Sequence, residues 1–235
     1  MKNLKIFMFV VSLIMMLVLN ACQAKLPVDS VTPSEKPPVD SAVILEKSTG
    51  QIYLYGEQHG IEKILEKELE IWGEYYNKDN MRHLFIESPY YTAEFLNLWM
   101  KSDNDDILEE IYNDWKGTAS YTSYIKEFYK KIKSQYPETI FHGTDVGNQY
   151  NTTGQRFLKY LKDNNLENTE QYLLTQEAIE QGKYFYNHSD YEYRENKMVE
   201  NLIREFDKLK DENVMGIYGG AHTGFGDMGY KSDSV

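Results

Sequence analysis

Gly56-Glu57-Gln58-His59-Gly60 follows an apolar alternating run, Ile52-Tyr53-Leu54-Tyr55, and opens a helical pattern at Ile61. A second glycine-histidine stretch, Gly219-Gly220-Ala221-His222-Thr223-Gly224, follows another apolar run near the other end of the chain. Both read as strand-to-loop corners that carry an imidazole. Two such corners face each other across one site if their strands run parallel in one sheet.

The stretches between them supply that sheet. Val43-Ile44-Leu45 and Ile52 to Tyr55 read as strands around the turn Ser48-Thr49-Gly50. Ile61, Ile64, Leu65, Leu69 and Trp72 then recur at helical spacing. Leu84-Phe85-Ile86 reads as a buried strand ending in Glu87-Ser88-Pro89, and Thr139 to Gly143 as another ending in Thr144-Asp145. Residues 91–136 read as helix, broken near 102–106 and at Gly117, and residues 153–183 as a further helix. Ser189-Asp190-Tyr191-Glu192 has the form of a capping box. The helix it opens runs to about Lys210, with Met198, Leu202, Phe206 and Leu209 on one stripe, and Val214 to Tyr218 is the last strand. Short apolar strands alternating with helices predict an α/β fold, a mainly parallel sheet flanked by helices on both faces. Ligands in such sheets bind outside the carboxyl ends of the strands. Four strands end in polar residues: Glu57 with His59, Glu87, Asp145, and His222.

Glu57 and His59 lie two apart, a spacing that puts both on one side of an extended chain. Gly56 and Gly60 allow a tight corner and close backbone approach. A histidine near neutral pH is a candidate base, and a carboxylate beside it fixes its tautomer or raises its pKa. His222 lies among glycines whose backbone amides can approach a substrate oxygen or an anion. Glu87 ends an apolar strand, where a carboxylate is costly unless solvated, paired or functional. Arg194 sits four residues before Met198 on the apolar stripe of its helix. It either reaches inward to a carboxylate or snorkels to solvent. Asp145 reads equally well as a helix or loop cap. His83, His142 and His188 fall in no such cluster and read as structural or exposed.

The ends of the chain carry a different message. Lys2 and Lys5 precede an almost unbroken apolar run from Ile6 to Leu19, which closes on Leu19-Asn20-Ala21-Cys22. This has the form of a signal segment, too short to span a membrane comfortably. Residues 1–22 thus read as a lipoprotein signal peptide with Cys22 as the lipidated residue. Residues 23–41 form a proline-rich linker in which Pro-Val-Asp-Ser occurs twice, a composition that cannot offset its ordering entropy by burial. Residues 42–235 are then one α/β domain. Cys22 is the only cysteine, so the domain has neither disulfides nor thiolate chemistry. Beyond residue 22 the chain has 23 basic and 37 acidic residues, a charge of −14. That argues against nucleic acid as a partner and against a basic lipid-binding surface.

Taken together, Gly-Glu-x-His-Gly, the strand ending in Glu87, Arg194-Glu195-x-x-Met198 at the start of a late helix, and Gly-Gly-Ala-His resemble a known superfamily. It comprises the erythromycin esterases, the haem-binding ChaN-type lipoproteins and the TraB/Tiki proteins. The resemblance covers about residues 50–225. It implies a parallel α/β sheet with a cleft between the motif loops, and it falls on Glu57, His59, Glu87, Arg194 and His222 as site residues. Erythromycin-esterase-like members imply water activation by Glu and His, Tiki-like members a metal-dependent peptidase, and ChaN-like members haem or iron binding at the cell surface. Relatives carry further sheet beyond the last motif, so the resemblance leads us to expect a trimmed or incomplete sheet here, thirteen residues from the end.

Two hydrolytic mechanisms fit these residues. In one, His59 or His222 is the base for a water that attacks an ester or amide carbonyl, while Glu57, Glu87 and Arg194 orient the bases and the forming oxyanion. In the other, Glu57, His59 and His222 hold a divalent metal (Mn, Co or Zn) that lowers the pKa of bound water. The first expectation is therefore a lipid-anchored, extracytoplasmic bacterial protein that hydrolyses an ester or amide in a small-molecule or peptide substrate. A haem- or iron-binding lipoprotein without turnover is the alternative, and an anchored interaction protein with an inert cleft is a third.

Overall fold

The computed structural model describes residues 49–224. The signal segment with Cys22, the 23–41 linker and the strand expected at Val43-Ile44-Leu45 lie outside the described residues. Four strands form the sheet: β1 (Ile52–Glu57), β2 (His83–Pro89), β3 (Ile140–Asp145) and β4 (Val214–Gly219). Their order is β1-β4-β2-β3, and every pairing is parallel. The parallel α/β architecture read from the sequence is the one observed.

Seven described helices flank the sheet: α1 (Glu62–Lys78), α2 (Tyr90–Met100), α3 (Asp106–Asp114), α4 (Ser123–Gln135), α5 (Thr153–Asp163), α6 (Glu170–His188) and α7 (Tyr191–Asp207). Alternation along the strands sorts their contacts into two layers. Leu84 and Ile86 of β2, Phe141 of β3, and Met215 and Ile217 of β4 join the larger core with Trp72 of α1 and Leu96 and Trp99 of α2. Phe85, Val214 and Tyr218 point the other way and pack on Met198, with Leu202 and Phe206 beside them. The stripe seen in the sequence of α7 therefore covers one face alone, and most of the other helices cover the opposite face. Leu54, on the α7 side of edge strand β1, stays 46% exposed.

Three expectations need correction. Residues 153–183 are not one helix: α5 stops at Asp163, Asn165 turns with φ +58°, and Thr169 caps α6 by accepting from the Tyr172 N–H. The capping box does not form with Ser189 first. Ser189 is the left-handed C-cap of α6 (φ 52°), and Asp190 caps α7 by accepting from the Tyr193 N–H at 3.0 Å. An aspartate beside the serine offers an equally good cap one residue later, and that lets two helices meet at a single left-handed residue. Finally, α7 ends at Asp207, short of Lys210.

The outer edge of β3 is closed by a side chain. Asn97 of α2 donates from Nδ2 to the Phe141 carbonyl at 2.9 Å and accepts from the Phe141 N–H at 2.8 Å. The amide thus stands in for a fifth strand at one residue, at an edge whose unpaired groups would otherwise invite pairing with another chain. Asn97→Ala should leave both Phe141 groups without their partner and cost about 1–3 kcal/mol, read as a lower urea midpoint.

Candidate functional site

All four strands run the same way, so their carboxyl ends share one edge, and the polar strand ends gather there. β1 and β4 are neighbours, with Glu57 in register with Gly219. The two glycine-histidine corners consequently touch. A Cβ on Gly56 would lie 2.4 Å from Thr223 Oγ1 and 3.1 Å from the Gly220 Cα, so only glycine lets the segments pack this closely.

Glu87, at the end of central strand β2, is the common partner. Its Oε2 accepts from the Gly219 N–H at 2.6 Å and lies 3.6 Å from His59 Nε2. Its Oε1 accepts from Arg194 Nη2 at 2.7 Å and lies 3.3 Å from His222 Nε2. Each histidine is held from behind by a second carboxylate: His59 Nδ1 on Glu57 Oε1 at 2.8 Å, and His222 Nδ1 on Glu195 Oε2 at 2.8 Å. Both rings therefore turn Nε2 towards Glu87. A Cβ at position 219 would fall 3.1 Å from His59 Nε2 and 3.2 Å from Glu87 Oε2; the missing side chain makes room for the meeting.

Arg194 reaches inward. Its Nε and Nη2 lie 3.0 and 2.8 Å from the two oxygens of Asp145, while Nη2 also serves Glu87. The two-point pairing with Asp145 fixes the plane of the guanidinium. Helix α7 is tied down by Asn201, whose Nδ2 donates to the Thr144 carbonyl and to Gln181 Oε1, both at 3.0 Å. This bond sits next to Asp145 in the chain and so sets the distance between α7 and β3.

The electrostatics follow from these contacts. Burial alone would raise the Glu87 carboxyl. The hydrogen bonds from His222 and the Gly219 N–H, with the charges of His222 and Arg194, outweigh burial and hold it down at about 2. Hydrogen bonds to Glu195 and Glu87 lift His222 to about 9, against the opposing effect of burial. It is an imidazolium at neutral pH and not a free base. His59 is raised above 6.5, chiefly by its hydrogen bond to Glu57.

A cavity of about 270 Å³ opens beside this cluster. Glu57, His59, Glu87 and Arg194 line it, and so does Asp145. His222 does not; its side chain is 11% exposed, against 38% for His59. The five residues singled out from the sequence thus come together, with His59 facing the cavity and His222 behind Glu87.

Sequence reasoning undervalued Asp145, which is the main partner of Arg194, and passed over Glu195 and Glu68. Glu68 also lines the cavity. It lies on the apolar stripe of α1, four residues before Trp72, as Arg194 lies four before Met198; the same signal marks both. His83 and His142 are not isolated either. Their rings meet at 2.8 Å, and His83 Nε2 lies 3.1 Å from Glu212, while His142 Nδ1 lies 3.9 Å from Glu205. They are half-buried structural groups against α7 and the loop before β4. His188 bonds the Tyr184 carbonyl at the end of α6.

The Glu57, His59 and His222 set expected to hold a divalent metal comes together around Glu87. Each imidazole has one nitrogen on a carboxylate and the other turned to Glu87. Among the described residues no three His, Cys, Asp or Glu side chains converge as a metal-binding group. No described helix is long and apolar enough to cross a membrane.

No protein-family model matches the chain, and no curated protein does. Among solved structures, a Bacillus cereus protein aligns with 76% of this chain at 12% identity and a TM-score of 0.48. The chain spans 58% of that protein's length.

Arg194 offsets two carboxylates that are 8% and 5% exposed. Arg194→Met should strand both and cost roughly 3–5 kcal/mol, measured by urea unfolding at pH 8. The deficit should narrow towards pH 4, where the stranded carboxyls take up protons.

Proposed function

We propose that this protein is a hydrolase of an ester or amide bond, of the kind its motifs resemble in the erythromycin esterase, ChaN and TraB/Tiki superfamily. The observation that carries the reading is the Glu57–His59 pair at 2.8 Å, with His59 Nε2 free of any close donor and facing a cavity. That is the geometry of a base with its orienting carboxylate.

In this reading His59 Nε2 takes a proton from water as the water oxygen bonds to the carbonyl carbon. The carbonyl electron pair moves to its oxygen, facing the Arg194 side of the cavity. Collapse breaks the bond to the alcohol or amine, which receives the proton from His59. Glu57 holds the ring by Nδ1 and stabilises its charged form. Glu87 and His222 are positioning residues: His222 and Arg194 keep Glu87 ionised, and Glu87 attracts the imidazolium that forms at His59.

His59→Ala and Glu57→Ala should each abolish most of the activity while the fold survives, because neither side chain fills an apolar cavity. The expected loss in kcat/KM is about 10²–10⁴-fold, measured over a panel of aryl and alkyl esters and short peptides. The pH profile should be bell-shaped. Activity rises as His59 loses its proton, above the ordinary 6.5, and falls near 9 as His222 loses its own. An intact protein that hydrolyses nothing in the panel, yet shifts the Soret band of added haem, would replace this reading with a binding lipoprotein.

We further propose that the protein is lipid-anchored through Cys22 outside the cytoplasm. The support is the apolar segment ending in Leu-Asn-Ala-Cys and the proline-rich stretch behind it. Two acyl chains suffice for stable anchoring. Cys22→Ala should leave the protein unlipidated and lost from the membrane fraction; a variant still processed and membrane-bound would refute the anchor.

A further inference from the structure

Glu68 has no role in the chemistry above, yet it is the least comfortable group in the cavity. It sits on the inward face of α1 and is 4% exposed. No protein group donates to either of its carboxyl oxygens, and the outer oxygen of Glu57, Oε2, is buried without a donor as well. Three buried acceptor oxygens thus share one cavity wall. A buried acceptor without a donor costs about 1–3 kcal/mol, more if charged.

The charges of the cavity do not balance either. Its lining contains four acids, Glu57, Glu68, Glu87 and Asp145, and two basic side chains, His59 and Arg194. Arg194 is committed to Glu87 and Asp145, and His59 to the inner oxygen of Glu57. Glu68 and the outer oxygen of Glu57 remain. The wall beside them is aromatic. Trp115, Phe128 and Tyr129 line the same cavity, with ring centroids 6.0 Å apart for Trp115 and Tyr129 and 5.6 Å for Phe128 and Tyr129. Tyr129 feels the charges of both Glu57 and Glu68, and the three rings and two acids all line this one cavity. Unpartnered carboxyl oxygens against aromatic faces, able to give up a proton to an arriving cation, are the chemistry that binds an organic ammonium group.

We propose that this part of the cavity is a subsite for a protonated amine, with Glu68 and Glu57 as its acceptors and Trp115, Phe128 and Tyr129 as its walls. The substrate class is then an amine-bearing ester or amide. The inference rests on the cavity being the substrate site, and deepens that reading by naming the group held away from the scissile bond. Binding itself needs no turnover.

Glu68 also gives the subsite a proton signature. Burial, then the charge of Glu57, lift its carboxyl to about 8, and His59 opposes them. The titratable groups facing it are Glu57 of β1, His59 of the following loop and Tyr129 of α4. At pH 7 Glu68 holds a proton, which an arriving ammonium group displaces.

The test is isothermal titration of the intact protein with phenethylamine, and with 2-phenylethanol and phenylacetate as its neutral and anionic counterparts. Phenethylamine should bind at least tenfold more tightly than either. At pH 7 it should release close to one proton, read from titrations in buffers of different ionisation enthalpy. Glu68→Gln should fold, melt at or above the wild-type temperature, lose the preference and release no proton. Equal binding of amine and alcohol, no binding of any probe at millimolar concentration, or a Glu68→Gln variant that keeps the preference would overturn the proposal. Because none of the probes is hydrolysed, a failure here is separate from a failure of the ester and peptide panel.

Discussion

One buried carboxylate holds the carboxyl edge of this sheet together. Glu87 is 8% exposed at the end of a central strand, where an unpartnered charge would cost several kcal/mol. It persists because a backbone N–H from β4, a guanidinium from α7 and two imidazoles from separate loops converge on its two oxygens. Each partner is itself fixed by another acid: Arg194 by Asp145, His59 by Glu57, His222 by Glu195. The result is a lattice of alternating charge, and its members depend on one another. Removing any cation exposes an acid; removing Glu87 leaves four cationic or polar groups facing each other.

Much of this was legible in the sequence, for a physical reason. Parallel strands bury both faces, so their sequences are short apolar runs, and a polar residue closing such a run stands out. Glu57, Glu87, Asp145 and His222 all have that signature. Arg194 was legible for the related reason that a guanidinium interrupts an apolar helix stripe. Glu68 interrupts the stripe of α1 in the same way, but glutamate is so common on helices that the interruption hides among ordinary surface acids. Glu195 was visible only as the neighbour of Arg194 in its motif, and it gains a role only when His222 arrives from the far end of the chain. The cap of α7 was misplaced by one residue because Ser189 and Asp190 are both good caps, and only the left-handed turn of Ser189 decides between them.

Helix α7 has a second polar layer at its other end. Glu205 faces His142, whose ring stacks on Phe85 at 4.6 Å and meets His83 at 2.8 Å. Burial and the neighbouring ring lower the His83 pKa, while Glu212 pulls it up. The helix is therefore pinned at both ends by charge and in the middle by Met198 and Asn201. Such an arrangement leaves little freedom for Arg194 to slide along the sheet, so the guanidinium behaves as part of the scaffold.

The pairing of β1 with β4 joins residues 162 apart in the chain. Closing a loop of that size carries an entropic cost, though one that grows only slowly with length. Long-range pairings of this kind also slow folding. The β2–β3 pair, by contrast, is bridged by nearby helices and can form without either end of the chain. His59 and His222 sit just beyond the two strands that make the longest-range pairing among the described residues. The site is therefore completed only when β4 slots between β1 and β2. Until β4 is in place neither histidine corner is locked against Glu87, so partly folded forms of the chain carry the parts of the site without the site itself.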